Sequence, residues 1–60
     1  MDISALLRGF EIQKIRDKAE EKSNRIIRAK THGLITQAEY NTQIESLLAT
    51  TKESIQKLYQ

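Results

Sequence analysis

The sequence predicts an all-α protein, a two-helix antiparallel hairpin that oligomerisation completes into a helical bundle. Three observations carry this reading. Apolar residues recur at helical spacing in two long segments, no β-branched run alternates with period two, and the segment around Gly33 is the strongest break between them. With 60 residues, no Pro, two Gly and no internal repeat, the chain reads as a single domain, 1–60. That length lies at the lower edge of what one core can hold together. There is no Cys for a disulfide, and a single His without a thiol cannot build a structural zinc site. Association with another copy is the remaining route to a finished core.

The first ten residues form an apolar segment carrying Ile3, Leu6, Leu7 and Phe10. It has no basic flank and is too short for a signal core or a membrane span, so a soluble chain is expected. The absence of Cys fits a reducing, cytoplasmic setting. On a continuous helix these four residues point roughly opposite to the apolar seam that follows. Either the chain bends at Gly9, or the helix runs on and offers a second apolar face to a neighbour.

Helix one is expected over about 11–32, with Ile12, Ile15, Ala19, Ile26 and Ala29 stepping by three and four and Lys22 in the missing heptad position. Gly33 stands where a helix end needs a left-handed residue. Leu34 is placed for the hydrophobic contact that goes with such a cap, and Arg28, Lys30 and His32 suit the negative helix end. A connection this short sets the two helices side by side. Helix two is expected over about 37–59, where Tyr40, Ile44, Leu47, Leu48, Ile55, Leu58 and Tyr59 share an arc of about 120°. Thr36 and Glu39 have the spacing of a capping box, and Ile35 with Tyr40 that of a hydrophobic staple.

Residues 26–48, above all Gly33-Leu34-Ile35-Thr36-Gln37-Ala38-Glu39-Tyr40 followed by Leu47-Leu48, resemble the short C-terminal helical domain called SHOCT. Such domains commonly sit at the end of larger proteins and mediate oligomerisation or attachment. The resemblance therefore implies self-association.

Catalysis needs a nucleophile with a base, a metal, or paired carboxylates in a pocket that excludes water. The sequence offers none, so no enzyme activity and no cofactor are expected. His32 reads as a cap or loop residue. Asp17, Glu20 and Glu21 could hold a hard cation, but Lys14, Lys18, Lys22 and Arg25 lie at spacings that pair with them as an ordinary exposed face.

Charge is uneven. Residues 1–31 hold eight Lys or Arg against five Asp or Glu, which is 8 − 5 = +3, and residues 32–60 hold two against three, which is 2 − 3 = −1. The stripe Lys14, Lys18, Lys22, Arg25 and Arg28 lies largely away from the Ile seam and could follow a phosphate backbone or steer an acidic partner. Acids are interspersed and no aromatic residue is there to stack on bases, so the solvated face is favoured. Leu6, Leu7 and Phe10 beside Arg8 could lie in a bilayer interface, yet ten residues with one base make a weak anchor.

The sequence thus predicts a non-enzymatic protein-interaction module, a homo-oligomeric adaptor, inhibitor or assembly protein, with Ile3, Leu6, Leu7 and Phe10 meeting the partner. Its size would suit a phage or mobile-element product that occludes a host protein. The alternative is a nucleic-acid-binding hairpin using the basic stripe of helix one.

Overall fold

The computed structural model describes residues 3–60; the first two positions of the apolar 1–10 segment lie outside the described residues. Two helices, α1 (Ile3–Thr31) and α2 (Gln37–Lys57), pack against each other as a hairpin, and no strand occurs among the described residues.

Helix α1 starts well before position 11 and passes through Gly9 unbroken. The reason is local. A lone glycine inside a helix costs only about 1 kcal/mol, and Leu6, Leu7, Arg8, Glu11 and Gln13 around it are good helix formers. The open alternative therefore resolves in favour of a continuous helix with two faces. At about 1.5 Å per residue, 29 residues give α1 a length near 44 Å, against about 32 Å for the 21 residues of α2. The longer arm overhangs: Arg8 already meets Leu58, the cap of α2, so the turn before it has no helix opposite.

The turn is built as its residues dictate. Gly33 has φ of 73°, and the Leu34 N–H reaches the Ala29 carbonyl at 2.8 Å while the Gly33 N–H reaches the Lys30 carbonyl at 3.1 Å. These are the two bonds of a Schellman cap. Leu34 does not make the expected hydrophobic contact, since it is 77% exposed; the half-buried residue is its neighbour Ile35. A β-carbon at either glycine would meet nothing within 4 Å, so only backbone preference decides what a substitution does. Gly33→Ala should cost about 1–2 kcal/mol for the left-handed conformation. Gly9→Ala should stabilise by about 0.5–1 kcal/mol in a helix interior. Thermal denaturation at one fixed concentration checks both, and a neutral Gly33→Ala would mean that the left-handed cap does not end α1.

At the start of α2 the capping box is complete: the Glu39 N–H donates to Thr36 Oγ1 at 3.1 Å and the Thr36 N–H donates to Glu39 Oε1 at 3.0 Å. The Thr36 backbone N–H, then its hydroxyl, holds the Glu39 carboxyl below the usual glutamate range. A depressed carboxyl stabilises the fold above its unfolded value of about 4.3, and that contribution fades as pH falls through the folded value. Thr36→Ala should cost about 0.5–2 kcal/mol in a denaturation experiment, from loss of the cap.

The seam between the helices differs from the expected one at three positions. Ser23, not Lys22, is half-buried between Ala19 and Ile26, because the seam steps by four and then three there and the ammonium turns out to the rim. Leu48 is 64% exposed and Tyr59 62% exposed, whereas Leu47, Ile55 and Leu58 are half-buried. Leu48 stands about 100° further round the helix than Leu47, and a hairpin has no third element on that side.

The molecule measures 49 × 17 × 9 Å, a slab one helix thick. Every seam residue therefore has an open side, and no described hydrophobic residue is buried. Packing alone gives this hairpin no interior.

Candidate interaction surfaces

Ile3, Leu6, Leu7 and Phe10 occupy positions i, i+3, i+4 and i+7 of α1 and are 68%, 50%, 57% and 60% exposed. This spacing puts them on one face, the pattern by which a helix presents anchors to another helix or to a groove. The continuous course through Gly9 creates the patch, for a bend there would have broken the spacing. A shallow depression beside it is lined by Leu7, Phe10, Glu11, Gln13, Lys14 and Asp17. The other exposed apolar residues, Ile27, Leu34, Leu48 and Tyr59, lie in separate parts of the chain. Scattered single residues of this kind are normal on a protein surface, whereas a contiguous patch marks contact.

Arg8 has a role that sequence reasoning missed. Its Nε donates to the Leu58 carbonyl at 3.2 Å, and its guanidinium lies 4.8 Å from the centroid of the Tyr59 ring. A cation at the C-terminal end of α2 meets the negative end of the helix dipole, and stacking on the ring adds to it. The signal was available: Arg8 precedes Ile12 by four residues and Ile15 by seven, which puts it on the seam rather than with Leu7. Tyr59 is thus a lid on Arg8 and not a member of the buried stripe.

Lys14, Lys18, Lys22 and Arg25 follow one another along one side of α1, and Arg28 has drifted toward its outer face. The expected pairing with acids is largely absent. Lys14 pairs with Glu11 at 3.3 Å, with both side chains exposed, while Asp17 accepts from Gln13 Nε2 at 2.9 Å instead. Lys18, Lys22, Arg25 and Arg28 make no ion pair among the described residues, nor do Glu20 and Glu21. Exposed pairs contribute only about 0–1 kcal/mol, so the helix loses little by leaving them unmade.

Among the described residues no group of three or more His, Cys, Asp or Glu is placed to hold a metal ion. Asp17, Glu20 and Glu21 do not converge. His32 falls in the turn, exposed, directly before Gly33. No described helix is long and apolar enough to cross a membrane.

Comparison with family models, with curated proteins and with solved structures finds no match for this chain. The likeness of residues 26–48 to the SHOCT domain rests on its motif alone.

Proposed function

We propose that this chain is a non-enzymatic protein-interaction module that works as a homo-oligomer, with Ile3, Leu6, Leu7 and Phe10 as the surface at which copies first meet. One observation carries the reading: four large apolar side chains, each at least half exposed, share one helix face, and no described hydrophobic residue is buried. A half-buried seam offsets less of the cost of ordering a backbone, about 1–2 kcal/mol per residue, than a closed core would. A second copy over the patch supplies the missing burial at no cost in new sequence, and a two-fold interface needs only that the patch complement itself. As an adaptor, inhibitor or assembly protein, the module would use the assembled form to hold further partners.

Size-exclusion chromatography with light scattering, run over a range of concentrations beside circular dichroism, tests the reading. A helical dimer or larger species that dissociates and loses helix on dilution is the expected result. A helical monomer at every concentration would overturn it.

A further inference from the structure

We propose that the trough between α1 and α2, on the side of Lys18, Lys22 and Arg25, is a docking site for an acidic amphipathic helix of another protein. Two concavities of about 500 and 230 Å³ share Lys22, Leu47 and Thr50, so they form one continuous channel along the hairpin. It runs from Ile15 to Ile26, about 17 Å at helical rise and so about three turns of an incoming helix.

The chemistry of the trough is asymmetric. Its floor is apolar, formed by Ile15, Ala19, Ile26 and Leu47. The α1 wall carries Lys18, Lys22 and Arg25, all exposed and none in an ion pair among the described residues. The α2 wall carries a row of short hydroxyl side chains one turn apart, Thr42, Ser46, Thr50 and Ser54, interrupted by a longer side chain only at Gln43. Among the described residues no acid lines either concavity.

An occupant that matches all three features is a helix with an apolar stripe, carboxylates along one flank and small or uncharged polar residues along the other. The low hydroxyl wall lets its backbone come close. The long stems of Lys18 and Lys22 lie against apolar surface while their ammonium groups reach the carboxylates. A nucleic acid fits less well, since a phosphate backbone makes no use of an Ile and Leu floor and no aromatic residue is there to stack on bases. The site deepens the reading of the chain as an interaction module but uses another face than the N-terminal patch. The mass of the wild type judges the first proposal and peptide selectivity judges this one, so either can fail alone.

The test is a fluorescence-anisotropy titration of the full chain with a labelled helical peptide that has Leu at every third or fourth position and Glu along one flank. The same peptide with Gln for Glu, and labelled single-stranded and duplex DNA, are the comparisons. The acidic peptide should bind about tenfold more tightly than its Gln counterpart, more weakly as salt rises, and about tenfold more weakly to Lys22→Glu with Arg25→Glu. Both substituted positions are exposed, so circular dichroism should show the variant as helical as the wild type. Lys22→Gln with Arg25→Gln gives a milder version with the same expected order. Equal binding of the two peptides, or none, overturns the proposal. Tighter binding of DNA than of the acidic peptide would assign the stripe to nucleic acid, and loss of the oligomer in the charge-reversed variant would assign the trough to a second copy.

Discussion

Leu7→Asp combined with Phe10→Asp should turn a helical oligomer into a largely unfolded monomer. Burying a Leu or Phe side chain contributes about 1.5–3 kcal/mol, so two of them account for about 3–6 kcal/mol per copy, counted twice in a two-fold interface. A micromolar dimer is held by only about 8 kcal/mol. Placing two carboxylates in the same contact adds a desolvation cost on top of that loss. A self-contact built on this patch would not survive both effects. Helix content should fall with it, because among the described residues the separated hairpin has no buried hydrophobic side chain to fall back on. Leu34→Asp is the control: Leu34 is 77% exposed, more than any other large hydrophobic side chain among the described residues, and lies in the turn, so mass and ellipticity should stay unchanged. Light scattering with circular dichroism reads both variants. A double variant that keeps its mass and its helix would remove the patch from the self-contact and leave it for a different protein.

What could be read from the sequence follows the range of the interactions involved. Caps are local: Thr36 and Glu39 need only their own spacing to close the box, and Gly33 needs only its own backbone to adopt a positive φ. Both ends were therefore legible, as was the antiparallel hairpin that a short turn enforces. The limits of the seam were not. Periodicity says that Leu47 and Leu48 share a broad face but not where the opposite helix stops covering it, and the answer separates a half-buried residue from one that is 64% exposed. The Arg8 contact needs both chain ends at once, 50 positions apart. Gly9 left two courses open because propensity makes a lone glycine weak evidence in either direction. In the candidate surfaces, the spacing of Ile3, Leu6, Leu7 and Phe10 was visible from the outset. The trough was not, because its walls come from two helices and neither helix alone shows that a cationic row faces a hydroxyl row.

The adjacent leucines of α2 provide the second decisive comparison. Fully buried Leu→Ala changes cost about 2–5 kcal/mol. Leu47 is half-buried between the helices and lines both concavities of the trough, so Leu47→Ala should cost about 2 kcal/mol, the lower end of that range. Leu48, 64% exposed, should behave as a surface position, with Leu48→Ala within about 0.5 kcal/mol of the wild type. The difference corresponds to about a tenfold change in the folding equilibrium, which denaturation at one fixed protein concentration resolves. A surface-like response at Leu47 would overturn the packing of α1 on α2. Equal costs at both positions would mean that the whole predicted stripe is covered in the assembled protein, and the contact between copies would then lie on the Leu48 side of the hairpin rather than on the N-terminal patch.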